Sequence, residues 1–73
     1  MTEKTQEIQT PFIRLDALLK LAGAADTGGQ AKWMVLEGRV RVNGEVCLQR
    51  GRKIRPGDRV ETGSLAVTVT AEE

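Results

Sequence analysis

Residues 28–59 read GGQAKWMVLEGRVRVNGEVCLQRGRKIRPGDR, and this stretch holds most of the signals that decide the fold. Its first part has the pattern of a helix that ends at Gly38, and from Arg39 onward apolar and polar residues alternate. Asn43-Gly44 follows, and this pair is the strongest short hairpin signal because both residues tolerate positive φ. The stretch therefore predicts a helix followed by an antiparallel hairpin.

The helix in this stretch has a clear beginning. Thr27-Gly28-Gly29-Gln30 fits a capping box, in which the Thr hydroxyl and the Gln side chain satisfy free backbone amides reciprocally. Asp26 lies at the same end, where its charge complements the helix dipole. The predicted apolar face consists of Ala31, Met34 and Val35.

Short strands are predicted beyond this helix. Val40 and Val42 are expected to point to one face of the first strand, and the alternating polar residues Arg39, Arg41 and Asn43 to the other. Turn residues punctuate the rest of the chain. The remaining predicted elements are a returning strand over 45–48, a turn at 56–58, a strand from Val60, a turn at 63–64 and a strand over 65–70.

A first helix precedes the opening stretch. Leu15, Leu18, Leu19 and Ala22 recur at the spacing of an amphipathic helix, and Gly23 is a suitable end for it. Its start is open: residues 10–11 could cap it as a Thr-Pro pair, or residues 7–13 could form a short strand. We favour a start near Arg14. The charged residues off the stripe are expected to face water or a partner: Arg14, Asp16 and Lys20.

This order of elements predicts an α+β fold in which two short helices pack on a small, mostly antiparallel β-sheet. A chain of 73 residues forms a single domain, 1–73, near the lower size limit for a self-sufficient core. We expect that core to span about residues 13–70, with both termini frayed.

Composition excludes several kinds of site. Histidine is absent and Cys47 is the only cysteine, so one chain cannot build a disulfide or a Cys/His zinc site. We expect neither metal nor cofactor, and we interpret Cys47 as a small apolar strand residue. Apolar runs are too short for a membrane span, and the polar N-terminus lacks the apolar core of a signal peptide. The expected location is the bacterial cytoplasm, with no membrane partner.

Charge is distributed unevenly along the chain. Residues 28–59 contain eight Lys or Arg and three acids, a balance of +5, whereas the flanking segments 1–27 and 60–73 carry −1 and −3. The net charge of +1 therefore conceals a basic centre. Such asymmetry is typical of proteins that contact phosphates, although a merely solvated Arg-rich surface would have the same composition.

Four motifs occur together in a specific order. They are Arg14-Leu15-Asp16 with Leu18-Leu19, Ala31 in a helix ending at Gly38, the run Val40-Arg41-Val42-Asn43-Gly44, and Pro56-Gly57-Asp58. In this order they resemble the S-four RNA-binding domain over roughly residues 13–60, and the G-x-V-x-V-N-G element at 38–44 is the most specific part. The runs GGQAK from Gly28 and RGRK from Arg50 are similar to short bacterial members that consist of little else.

The resemblance implies an alpha-L motif, a helix–turn–helix-like pair on a small sheet, that binds structured RNA. The two glycines leave the backbone amides at the start of the second helix open to a phosphate oxygen. A-form RNA is read mainly through its backbone and shape, and an Arg side chain can hold a phosphate with two donors. The candidate RNA-binding residues are Arg14, Lys20, Thr27, Gly28, Gly29, Gln30, Lys32, Arg39, Arg41, Asn43, Arg50, Arg52, Lys53 and Arg55.

The chain departs from the family pattern at one place. Many family members carry Ser-Arg where this sequence has Thr27-Gly28. The hydroxyl that caps the helix is retained, but an RNA contact made by that Arg does not carry over.

The resulting hypothesis is a non-enzymatic RNA-binding protein for structured RNA, namely ribosomal or transfer RNA, or a ribosomal particle. The alternative is a small protein-interaction adaptor whose basic face docks on an acidic partner. Trp33 is compatible with either hypothesis, because it could stack on a base or pack against the sheet or another chain. Without His, a second Cys or a carboxylate pair, the chain lacks groups for acid–base or metal catalysis, and we expect no small-molecule substrate.

Overall fold

The computed structural model describes residues 2–72, which form two helices and seven strands. The helices are α1 (Leu15–Leu21) and α2 (Gly28–Leu36). The strands are β1 (Thr2–Ile8), β2 (Ile13–Arg14), β3 (Arg41–Val42), β4 (Glu45–Val46), β5 (Lys53–Ile54), β6 (Arg59–Glu61) and β7 (Leu65–Ala71).

Five of the strands form one sheet in the order β1-β7-β6-β3-β4. All neighbours in it are antiparallel except β1 and β7, which run parallel. The other two strands, β2 and β5, form a separate antiparallel pair. Because the helices pack on a mostly antiparallel sheet, the predicted α+β fold is confirmed.

The N-terminal strand is the main difference from the predicted fold. β1 pairs with β7 along its whole length, from Thr2 opposite Leu65 to Ile8 opposite Ala71, and Ile8 lies in the core. The expectation that residues 2–8 and Ala71 fray outside a core starting near residue 13 is therefore wrong. Polar residues conceal this strand in the sequence, because only Ile8 is buried and the ladder depends on β7. The predicted fraying of Met1 and Glu73 concerns residues outside the described range.

The first helix begins at Leu15, next to the predicted start. The Thr10 hydroxyl donates to the carbonyl of Phe12, so it does not cap the helix. The alternative, one strand over 7–13, is also not what forms, because residues 7–8 end β1 and residue 13 begins β2. The amides of Leu15 and Asp16 instead donate to carbonyls of a distant loop, which supplies the partners that a side-chain cap would provide. Gly23, with φ of +82°, follows the end of the helix as predicted.

The second helix is capped by Thr27, whose Oγ1 accepts the Gln30 amide at 3.1 Å as predicted. The reciprocal half of the predicted box differs, because the Gln30 side chain accepts from the amide of Asp26 at 2.8 Å, one residue before the expected donor. The helix ends at Leu36, and Gly38 with φ of +74° redirects the chain towards the sheet.

The predicted hairpin turns at Asn43-Gly44, where both residues have positive φ, 53° and 87°. Its returning strand is shorter than the predicted 45–48, because β4 ends at Val46. Cys47 still donates its amide to the Val40 carbonyl, but its side chain is buried in the core, in agreement with its interpretation as a small apolar residue.

The core forms where the helix stripes meet the inner face of the sheet. Among residues 2–72, no helix is both long and apolar enough to cross a membrane. The fully buried side chains of the core include Leu15, Leu18, Val35, Val40, Val42, Ile54, Val60 and Val69.

Candidate functional site

The Arg-rich loop over 50–53 lies against the beginning of α1. Its carbonyls at Arg52 and Arg50 accept the amides of Leu15 and Asp16 at 2.9 and 3.0 Å, and Lys53 pairs with Arg14 in the β2–β5 ladder. The Arg14 guanidinium also passes close to Gly51, since a Cβ placed there would lie 3.6 Å from its Nη2. The backbone of a loop that appears irregular in the sequence is thus held in place by the helix.

Hydrogen bonds of Asp58 connect the segment after this loop to the tip of the β3–β4 hairpin. The Asp58 carboxylate accepts the backbone amide of Arg55 at 2.8 Å and the side-chain amide of Asn43 at 3.1 Å. The Asn43 carbonyl oxygen accepts the backbone amide of Arg59 at 2.9 Å. Both ends of the Asn43 side chain are therefore engaged in holding the hairpin to the 55–58 turn, to which Asp58 belongs as predicted.

The start of α2 borders the same region. Gly28 shares a shallow depression with Arg14, Asp16, Ala17 and Lys20 on α1. A Cβ at Gly28 would meet no atom within 4 Å, so packing does not require a glycine there and the depression is open to an approaching group. Lys32 lies one turn further along α2 and is half-buried.

We call this continuous surface the loop–helix face. It combines the beginnings of both helices with the Arg-rich loop, which are distant in sequence. Its members are Arg14, Lys20, Gly28, Arg50, Arg52, Lys53 and Arg55.

Most cations of the loop–helix face are not neutralised by the protein. Within the part of the chain that the structure describes, the only ion pair on this face joins Arg14 to Asp16 at 3.2 Å. Lys53 Nζ lies 4.8 Å from the centroid of the Phe12 ring, a cation–π contact that keeps its charge available. Phe12 was not among the predicted site residues, and its only sequence signal is that it is the sole Phe.

Arg39 and Arg41 lie elsewhere. They line a separate depression with Glu61, Thr62 and Gly63, at the outer face of the sheet. Arg39 Nε pairs with Glu37 at 3.2 Å, and Arg41 lies opposite Glu61 in the β3–β6 register. The structure therefore does not join these two cations to those of the loop, because the alternation of β3 places Arg41 on the exposed face of the sheet and Val42 on the buried face.

Two further predicted features also lie away from the loop–helix face. Gln30 borders a groove with Met34 and Arg39 on another side of α2. The basic residue Arg59, counted in the charge of the central stretch, pairs with Glu3 at 2.9 Å and lies 3.8 Å from Glu61. The N-terminal strand thus brings an acid to a cation of the centre, which local charge counting does not anticipate.

The hydrogen bonds at Asp58 lower its pKa below the ordinary value of 3.8. The amide of Arg55 has the largest effect, the Asn43 side chain follows, and the nearby charges of Arg52 and Arg55 add to it, while burial acts in the opposite direction. The ionised carboxylate is therefore the form that the folded turn prefers.

A pH dependence of stability follows from this shift. A carboxyl group whose pKa is lower in the folded state stabilises the protein above its unfolded pKa, and this contribution disappears as the pH falls through the folded value. We expect the melting temperature of the natural protein to fall when the pH is lowered from neutral to below about 3.8. Asp58→Asn should be less stable at pH 7 and should lose less on acidification.

Glu45→Gln is the matched control, because Glu45 is exposed and makes no ion pair in residues 2–72. It should melt like the natural protein at both pH values. An Asp58→Asn variant with the same acid sensitivity as the natural protein would contradict a role of this carboxylate in holding the turn.

Comparison with known proteins agrees with this architecture. The profile of the S4 domain matches residues 6–70. A Bacillus subtilis protein named "Probable ribosome maturation protein RlbA" is 48% identical over 54 residues, which cover 74% of this chain and 76% of the relative. An Escherichia coli protein named "Putative RNA-binding protein YbcJ" is 39% identical over 61 residues, covering 84% and 87%.

A solved structure shows the same fold. The solution structure of YbcJ from Escherichia coli superposes with a TM-score of 0.69 at 35% identity, covering 97% of this chain and 89% of that chain. Its description states that it reveals an alpha-L motif involved in RNA binding. The helix pair α1–α2 packed on the mixed sheet, together with the sequence match over most of the chain, shows that this protein belongs to the S4 domain family.

Proposed function

We propose that this chain is a non-enzymatic RNA-binding protein of the cytoplasm that recognises structured RNA, with ribosomal RNA, transfer RNA or a ribosomal particle as the target. The observation that carries the proposal is the loop–helix face, where several cations without a carboxylate partner among residues 2–72 adjoin one another on elements fixed by backbone hydrogen bonds. Names of the relatives support the same class of partner, since one refers to ribosome maturation and the other to RNA binding.

The geometry of the face suits a phosphate backbone. Arg50 and Arg52 place their carbonyls against α1, so their exposed side chains extend from a backbone that is already ordered. An ordered backbone reduces the entropy that binding must remove, and flexible guanidinium groups can adapt to the phosphate spacing of an A-form duplex. Ribosomal and transfer RNA offer such duplexes together with loops and bulges.

Individual residues have distinct proposed roles. Lys20, Arg50, Arg52 and Arg55 contact phosphates directly, and Gly28 leaves room for the backbone of the RNA. Several other predicted residues support or extend this surface. They are Arg14 and Lys53 within it, Thr27, Gly29 and Lys32 beside it, Asn43 through its hold on the 55–58 turn, and Gln30, Arg39 and Arg41 as contacts for RNA that reaches the other side of α2.

Salt dependence tests the proposal. If about four phosphates are neutralised, the logarithm of the affinity should fall with the logarithm of salt concentration with a slope of roughly −3 to −4. The measurement is a titration of a fluorescently labelled, structured ribosomal RNA fragment, followed by anisotropy at several salt concentrations. An affinity that does not respond to salt, or an absence of binding at low salt, would contradict the proposed function.

A further inference from the structure

Trp33 is the largest exposed apolar side chain of the chain's described part, with 61% of its surface accessible. It lies on α2 away from Ala31 and Val35, the two buried residues of this helix, and unlike Met34 it is not among the partly buried residues that pack against the core. Partial packing against the chain's own sheet, one of the two interpretations from the sequence, is therefore not what the structure shows. An indole in this position contributes little to folding and needs another explanation.

Few side chains project from the turn of α2 that precedes Trp33. This turn contains Gly29 and Gln30. Gly29 has no side chain, and a Cβ placed there would have the Thr27 hydroxyl oxygen, 3.8 Å away, as its nearest neighbour. The Gln30 side chain is held at the amide of Asp26. With 61% of its surface accessible, the Trp33 side chain can receive a flat partner.

One cation, Lys32, precedes Trp33 directly on α2. Gly29 lies one helical turn before both residues, so no side chain extends from α2 at that position. The acid one turn beyond, Glu37, is paired with Arg39 at 3.2 Å. Lys32 in turn lies one turn beyond Gly28, which borders the loop–helix face.

We propose that Trp33 stacks on an unpaired base of the bound RNA, whose phosphate is contacted by Lys32. The inference rests on the proposed function and narrows it: the target contains a bulged or looped nucleotide next to the duplex that the loop–helix face contacts. Bases in an intact A-form duplex are stacked on each other and do not offer a free face, whereas unpaired bases are commonly stacked on aromatic side chains.

The experiment compares two RNAs and uses the indole as its own probe. One RNA is a stem-loop with a single bulged adenosine, and the other is the same stem closed by the same loop without the bulge. Because Trp33 is the only Trp and the chain has no Tyr, intrinsic emission near the Trp maximum reports on this ring. Binding of the bulged RNA should quench Trp33 emission in proportion to saturation, which anisotropy of the labelled RNA measures independently.

Trp33→Ala should weaken binding of the bulged RNA by about tenfold or more, the effect typical of losing one base–aromatic stack. Trp33→Phe should restore most of the affinity. The slope of the logarithm of affinity against the logarithm of salt concentration should be unchanged in both variants, because stacking releases no counterions. Leu36→Ala is the matched control, since Leu36 lies on the same helix side and is 49% exposed but cannot stack, and it should bind both RNAs normally.

Three results would overturn the inference. In the first, the natural protein binds the bulged RNA by anisotropy while Trp33 emission and Trp33→Ala affinity do not change, which leaves the proposed function intact. In the second, the natural protein captures another protein from cell extract and keeps it after nuclease treatment, whereas Trp33→Ala and Leu36→Ala both lose it. That result assigns the surface around Trp33 to a protein partner. In the third, no structured RNA binds the natural protein at all, and the proposed function fails with the inference.

Discussion

Replacing Arg50, Arg52 and Lys53 together by Ala is expected to weaken binding of structured RNA by about 10- to 100-fold at moderate salt and to reduce the salt slope by about 2, because Arg50 and Arg52 are two of the four proposed phosphate contacts. Each of these side chains is exposed, so their removal takes away charge without opening the core. The hydrogen bonds between this loop and α1 use backbone carbonyls and should persist in the variant. Anisotropy titrations at several salt concentrations measure both quantities.

The matched control is the double variant Arg39→Ala with Arg41→Ala, which also removes exposed cations from the basic centre. Arg39 is already paired with Glu37, and both cations line a depression separate from the loop–helix face, so this variant should lose much less affinity than the loop variant. A larger loss in the double variant would move the binding surface to the outer face of the sheet. Circular dichroism of both variants checks that the fold is retained.

Leu18→Ala is expected to lower the free energy of unfolding by about 2–5 kcal/mol. Leu18 of α1 is fully buried in the core, so its truncation removes apolar contacts and leaves a cavity. A domain of this length is stabilised by roughly 4–11 kcal/mol in total, which makes the loss a large part of its stability. Urea unfolding followed by circular dichroism gives the difference.

Leu21→Ala provides the control for this measurement, because it makes the same chemical change in the same helix at a side chain that is 53% exposed. Its free energy of unfolding should change by less than about 0.5 kcal/mol. Similar values for the two variants would mean that α1 does not bury the Leu stripe that defines its orientation in the structure.

Much of the fold was predictable because its signals are local. The Leu stripe of α1, the Thr27 cap and the Asn43-Gly44 turn each depend on residues within a few positions of one another, and all three occur as predicted. The strand β1 was not predictable in this way. Its residues alternate poorly and bury only Ile8, and their strand conformation depends on pairing with β7 at the opposite end of the chain.

The candidate site shows the same division. The sequence indicated the basic loop and the start of α2 as candidate sites. Nothing in it indicated that the backbone carbonyls of this loop would accept amides of α1, or that Phe12 would lie under Lys53. It also could not distinguish cations that remain free from those that the fold pairs with acids.

The amino-acid sequence alone determined the order of helices and hairpin and the concentration of positive charge in the centre, because caps, turn residues and apolar spacing act over short distances. Only the tertiary structure decided which of those charges remain available. Folding places Glu3 beside Arg59, while it leaves Arg50, Arg52, Lys53 and Arg55 without an ion pair among the described residues. The physical reason is that an ion pair depends on distance in space, and residues far apart in the chain become neighbours only when strands at its two ends join one sheet.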